Sequence, residues 1–350
     1  MDGYAREAPS RPRDHLDPGA QGDRAAADRG RSEAHHRCAD TGIGDCGIQN
    51  AAVTITMPSP TLFHVDVFAT GPLTGNGLTV FLNTERWPAS VMQRLTQETK
   101  QFESIFLSSI SAMGAKARIF TVEEELPFAG HPVLGAAAVL HRTQAPVKKF
   151  CSWVISVPHG ELAVTTTKVG THYVCEMNQG KPVVGTLISS RALAPILSRL
   201  GLDERDLASG LDAQVISTGL PYLIVPLSPA ALGRAKIRGT DFESQLETLG
   251  AKFPLVLAVD GREMRTWDNL GLVEDVATGS AAGPAAAYLV ARGLAEAGVP
   301  IEIAQGRFAG RPSKLTVVQD GDGNLLVRGE VWPVSHGTLD VDPLVIGNDA

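Results

Sequence analysis

Cysteine is scarce, basic residues hold no majority, and no apolar run is long enough to cross a bilayer in this 350-residue sequence. The four cysteines, Cys38, Cys46, Cys151 and Cys175, form neither a close metal-binding pair nor a disulfide-dense pattern. That excludes a disulfide scaffold and fits a reducing cytoplasm. Against 38 Asp and Glu stand only 31 Lys and Arg, a formal net charge of -7 with no basic stripe. A nucleic-acid surface is excluded on that ground, and a small-molecule partner fits better. No membrane span is expected, and the first fifty residues, broken throughout by Arg, Asp, Glu and Gly, lack the apolar centre of a signal peptide. What is present is 43% hydrophobic residues, enough for one or two full-sized cores.

Residues 1–59 read as a disordered extension rich in Arg, Asp, Gly and Ala, with no helical or strand period. Within it, His35-His36-Arg37-Cys38 and Cys46 have zinc-type donors, but their spacing matches no common finger and no metal site is assigned. Globular patterning starts just after Met57, which makes Met57 a candidate start of translation that N-terminal sequencing would check.

Beyond residue 60 the strand signals are short and frequent: Leu62–Phe68, Leu78–Leu82, Ser104–Ser108, Ala117–Thr121, Val154–Val157 and Leu162–Thr166. Ala89–Lys100 has the spacing of an amphipathic helix, whereas helices beginning near Pro132 and Ala281 are Ala-rich on every side and so expected to be buried. A second block starts near Leu187, where Ser189-Ser190 can cap a helix to about Leu200. Strands follow at Gln214–Ser217, Tyr222–Pro226, Leu255–Val259 and Met264–Trp267, with a helical stretch at Asp241–Leu249. The pattern is α+β, with expected domains at 60–186 and 187–345 and a C-terminal strand that can return to the first.

The two blocks echo each other. A shift of 149 positions lays Ala129-Gly130-His131 on Thr278-Gly279-Ser280, Ala136–Leu140 on Ala285–Leu289, and Glu125 on Glu274. This reads as an internal duplication of strand, glycine turn and buried helix. Each copy presents free backbone N–H groups and the positive end of a helix dipole, a setting for a carboxylate or phosphate. His131, Glu274 and Asp275 lie at these turns, and Glu103 stands among Phe102, Ile105, Phe106 and Leu107. Burial there would raise its pKa toward neutrality, where one carboxyl can both take and return a proton. Taken singly, each turn reads equally as an ordinary capped helix, Glu103 as the solvent face of an edge strand or a helix cap, and His131 as a helix residue bonding its own backbone.

Several segments then resemble, in order, the PhzF-like phenazine-biosynthesis family. They are Phe63–Phe68 with Gly75-Asn76, Glu98-Thr99 leading to Glu103, Glu125–Pro132, Ser217-Thr218-Gly219 with Pro221, Glu274–Gly283 and Gly310–Ser313. The resemblance covers about residues 61–345 and implies a diaminopimelate epimerase-like fold: two pseudo-symmetric domains, each a curved sheet or barrel wrapped around a central helix, with one active site between them. It implies a homodimeric isomerase with no metal or organic cofactor, acting on a small molecule that bears a carboxylate. Glu103 would be the acid/base residue, and His131 and Asp275 would orient the substrate. The backbone at Gly130, Gly279 and Ser280 would receive the carboxylate, and Asn76 would line the same cleft. Related epimerases use paired cysteines at these turns; His131 and Ser280 exclude that mechanism here by residue type. An epimerase with Asp275 or His131 as second base, or a binding protein without turnover, are the alternatives. Phe102, Val276 and Gly77 depart from the family pattern. The bulk beside Glu103 suggests a substrate other than the hydroxylated anthranilate precursor of phenazines, one that carries an alkyl group.

Overall fold

The structure, a computed structural model, describes residues 60–346, which lie within one compact unit, Thr56–Ala350. The expected disorder of residues 1–59 and the His35–Cys46 tract lie outside the described residues.

In the first half the strands are β1 (Thr61–Val67), β2 (Asn76–Phe81), β3 (Glu103–Ser111), β4 (Gly114–Thr121), β5 (Glu125–Leu126), β6 (Phe150–Val157), β7 (Gly160–Val169) and β8 (His172–Asn178). The second half adds β9 (Val183–Ile188), β10 (Ala213–Ser217), β11 (Pro221–Leu227), β12 (Phe253–Ala258), β13 (Glu263–Arg265), β14 (Ile301–Gln305), β15 (Ser313–Gln319) and β16 (Leu325–Thr338). Strands β1-β2-β3-β4-β6-β7-β8-β16 close on themselves, because β16 pairs with β8 along its first part and with β1 along its second. From β16 the same sheet continues through β15, β14, β13, β12, β11 and β10 to β9.

A barrel this narrow can hold a helix only if the helix is thin. The helix Gly130–Gln144 meets that condition with Gly and Ala: every residue from Gly130 to His141 is buried, and it touches all eight strands of the barrel. A Cβ at Gly135 would collide with the Leu78 side chain, so glycine there sets the helix-to-strand distance. The polar side chain near the C-terminal end of the helix is fully paired: Nδ1 of His141 lies 2.7 Å from the Thr166 hydroxyl, its Nε2 2.9 Å from the Lys148 carbonyl, and Trp153 donates to Thr166 at 2.9 Å. The second Ala-rich helix, Gly279–Ala291, is buried against β10, β11, β12, β14, β15 and β16.

Helix Ser190–Arg199 is capped as the sequence suggests, Ser189 accepting from the Ala192 amide. The boundary drawn at 186/187 falls inside β9, which pairs only with β10. Strands β8, β9, β14 and β15 fall outside the strand stretches expected from the sequence, and β16, the C-terminal strand, pairs with β8 and β1 of the first half. Strands β8 and β14 alternate in burial throughout and β15 over its first five residues, β9 is exposed over its first five residues, and β16 alternates only over its first half. The strand expected at Ser104 starts one residue earlier, at Glu103.

Candidate active site

The two central helices meet at their N-termini. A Cβ at Gly130 would lie 3.2 Å from the Gly279 Cα and the Ser280 nitrogen, so any side chain there would press the two backbones a few tenths of an ångström apart. Two positive dipole ends and their unsatisfied N–H groups are thereby turned on one place, an arrangement an anion relieves. Beside it opens a cavity of ≈ 580 Å³, lined among others by Asn76, Glu103, Gly130, His131, Asp275, Gly279 and Ser280. All seven residues singled out in the sequence thus border one cavity.

Glu103 enters it from the first position of β3, 5% exposed, with burial first and the neighbouring Asp275 second holding its pKa well above 4.5. His131, second residue of its helix, is held neutral by burial, its pKa lowered to about 3. Its Nδ1 lies 3.4 Å from Glu103 Oε2. The Asn76 amide nitrogen is equally distant from that Nδ1, at 3.4 Å, but its two hydrogens face nearer acceptors, Asp275 Oδ1 at 2.8 Å and the Ala277 carbonyl at 3.1 Å. Nδ1 is left facing the Glu103 carboxyl. Glu103 Oε2 and His131 Nε2 are buried and make no hydrogen bond, and unpartnered polar atoms of this kind belong where a ligand completes them.

Asp275 has no such freedom. Oδ2 accepts from the Thr278 hydroxyl at 2.5 Å, and Oδ1 accepts from Asn76 and from the Ala277 amide at 3.4 Å. Burial raises its pKa in spite of these bonds, which act the other way. Gln305, 1% exposed, ties the turn together by donating to the Asp275 carbonyl (2.8 Å) and accepting from the Thr278 amide (2.9 Å). Asn76 and Asp275 therefore join the two halves directly.

Arg311 makes a second tie. It donates to the Gly75 carbonyl at 2.7 Å and to the buried carboxylate of Asp66 at 2.7 Å, fixing the chain just before Asn76. The part played by Gln305 has no local signal, because its partners lie 27 and 30 residues away; Arg311 stands in the Gly310–Ser313 segment that resembles the family, but its partners lie 236 and 245 residues away. Glu125 and Glu274 are each held bidentately, by Arg118 and by Arg265, and Glu274 also borders the cavity. Among the described residues, no group of three or more His, Cys, Asp and Glu side chains could hold a metal ion, and no helix is long and apolar enough to cross a membrane. Cys151 and Cys175 are buried free thiols.

A family model described as phenazine biosynthesis-like protein, PhzC-PhzF, matches residues 65–337. The chain belongs to that family. Among curated relatives of this PhzF-family chain, the trans-2,3-dihydro-3-hydroxyanthranilate isomerase of Pseudomonas fluorescens is 32% identical over 272 residues, which are 76% of this chain and 93% of the relative. An uncharacterized isomerase of Salmonella typhimurium is 30% identical over 293 residues, 79% and 97% of the two chains. A solved structure from Pseudomonas aeruginosa, described as a predicted epimerase, superposes with a TM-score of 0.77 at 46% identity, covering 81% of this chain and all of the other. A probable proline racemase from Agrobacterium radiobacter, 13% identical at a TM-score of 0.55 over 81% of this chain and 94% of its own, shares the α+β epimerase-like fold alone.

Proposed function

We propose that this chain is a cofactor-independent isomerase in which Glu103 removes a proton from one carbon of a small unsaturated amino or carboxylic acid and returns it to another. The observation that carries this reading is the buried Glu103 Oε2, without a hydrogen bond, beside neutral His131, at the point where two helix N-termini converge. In the first step the C–H proton passes to the Glu103 carboxylate, and the electron pair left on carbon spreads through the conjugated system toward the substrate carboxylate. The helix-terminal amides at Gly130, Gly279 and Ser280 hold that carboxylate and stabilise the charge as it grows. The second step returns the proton to a different carbon, and the double bond shifts. A raised carboxyl pKa suits both steps, since the acid and base forms are then both accessible near neutral pH. His131, through Nε2, and Asp275, through the field of its fixed carboxylate, orient the substrate and hold Glu103 ready.

Epimerisation needs a second base on the opposite face, and of the two candidates His131 stands 3.4 Å from Glu103 itself, which supports the one-base reading. Asp275 is fully engaged. In the parallel pair β2–β3 the first paired residues are Leu78 and Glu103, whereas in the corresponding pair β11–β12 they are Tyr222 and Phe253. An aromatic ring stands where a symmetric second acid would be.

Phe102, Phe128, Phe253 and Trp267 also border the cavity and support a substrate with a larger apolar portion than dihydro-hydroxyanthranilate. Homodimeric assembly in the cytoplasm belongs to the same reading, and light scattering of the purified protein checks the first part of it. The experiment on function is proton NMR in heavy water of unsaturated amino acids, dihydro-hydroxyanthranilate and alkyl-bearing analogues among them, with wild type and Glu103→Gln. A double bond that moves with wild type alone is the expected result. Equal action by both proteins would remove Glu103 from its role, and inversion of a stereocentre with deuterium uptake would favour the epimerase.

A further inference from the structure

The second helix start carries a hydroxyl pair that the chemistry above leaves unused. Tyr222, the second residue of β11, is 3% exposed, and its hydroxyl lies 2.7 Å from Ser280 Oγ. That is a normal O–H···O separation, and neither hydroxyl has another partner among the described residues. The Tyr222 ring is fixed against Phe253, with centroids 5.8 Å apart. At the matching position of the first half stands Leu78, which packs on its own central helix with no polar atom. Packing at this position therefore does not require a hydroxyl.

We infer that Tyr222 is a positioning residue that acts through Ser280: its phenol donates to Ser280 Oγ and leaves the serine hydrogen directed into the cavity, as a donor to the substrate's carboxylate. The inference rests on the reading of the helix starts as a carboxylate site and is independent of whether Glu103 moves a proton. A serine hydroxyl at a helix start rotates freely and can equally accept or donate. With its oxygen occupied by a tyrosine proton, its own hydrogen points elsewhere, and the cavity lies open beside it. Two hydroxyls in series polarise one another, so the terminal donor is stronger toward a negative charge than serine alone. Burial raises the tyrosine pKa and keeps the phenol protonated across the working range, so the direction of the chain does not reverse with pH. This adds a side-chain donor to the helix amides at the place where negative charge collects.

The test is calorimetric binding of anthranilate, a ring carboxylate with no double bond to move, by wild type, Tyr222→Phe, Ser280→Ala and the double variant, with anthranilamide as the uncharged control. Tyr222→Phe keeps the ring and should weaken anthranilate binding about three- to tenfold while changing anthranilamide binding less. Ser280→Ala should weaken it at least as much, and adding Tyr222→Phe to Ser280→Ala should cost nothing further, the signature of one residue acting through another. Multiplying losses, an equal loss toward the amide, or unchanged binding by Tyr222→Phe would overturn the inference. Failure of wild type to bind anthranilate would overturn it as well. Failure of the isomerase reading shows separately, as absence of a moved double bond in the Glu103 experiment.

Discussion

Arg118, Phe120 and Glu125 in the first half match Arg265, Trp267 and Glu274 in the second, group for group. Each arginine grips its glutamate bidentately and lies over the aromatic ring two residues on, at 5.2 Å in one and 4.7 Å in the other. In both, the glutamate pairs in antiparallel fashion with that aromatic residue. The settings differ. The first pair is 37% and 31% exposed, the second 9% and 14%, and Arg265 also donates to the carbonyls of Leu232 and Ala235. A duplicated motif has thus kept its geometry while its surroundings turned one copy into a surface clamp and the other into a buried anchor. The helix starts diverge in the same way. Both offer the same amides, but the first half adds an unpartnered carboxyl oxygen and an imidazole, and the second a tied carboxyl and an aromatic wall with two hydroxyls.

The largest expected effect separates the two walls of the cavity. Glu103→Gln should lower proton exchange by about 10²- to 10⁴-fold, while Phe253→Leu, at the matching register, should stay within about tenfold of wild type. Comparable losses measured by NMR would mean that the halves share the chemistry.

Next comes the contrast between the clamps. Arg265→Ala leaves Glu274 uncompensated among buried groups and should cost about 3–5 kcal/mol in urea unfolding. Arg118→Ala, screened by solvent, should cost about 0–1 kcal/mol. Equal costs would make burial irrelevant to the difference.

Gly130→Ala forces a methyl against the Gly279 and Ser280 backbone, which cannot give way as a side-chain end can. A loss of about 1–3 kcal/mol is expected, with weaker carboxylate binding because the helix ends separate. Unchanged binding would show that the close approach of the helices serves packing alone.

The smallest effect is in pH. Glu103 has its pKa raised on folding, so the stability it contributes is full below the unfolded value of 4.5 and is lost as pH rises toward the folded one. His131, lowered to about 3 from 6.5, acts in the opposite sense, since stability falls as pH drops through that window. Wild type should therefore lose stability relative to Glu103→Gln on going from pH 5 to pH 8. A gap independent of pH would mean that Glu103 is not desolvated.

The glycine turns, the two buried helices and the isolated acid Glu103 were legible because each is written locally: a glycine before a polar residue and an alanine run, or an acid inside an apolar stretch; Asn76 and the parts assigned to the seven cavity residues came only with the resemblance to the family. The 149-position echo brought Glu125 and Glu274 into correspondence, but without Arg118 and Arg265 it could not tell ion pairs from catalytic acids. Gln305 and Tyr222 carry no local signal, and Arg311 only its place in the Gly310–Ser313 segment, since a single Gln, Arg or Tyr at a strand or turn is common and their partners stand 27 to 245 residues away. Strand β16, the C-terminal strand expected to be able to return to the first domain, has no single alternation through it, because its two parts face different neighbours, so its bounds were not legible.

The sequence by itself determined the fold class, the duplication and which side chains could do chemistry, because hydrophobic period, glycine placement and residue type are local properties. Only the tertiary structure decided that Asp275 is tied down while Glu103 Oε2 and His131 Nε2 stand unpartnered, that one Arg–Glu clamp is buried and its twin is not, and that a tyrosine reaches Ser280. Those outcomes depend on which groups desolvate and pair across the long reach of the chain, and burial and pairing are set only when the two helix ends are brought together.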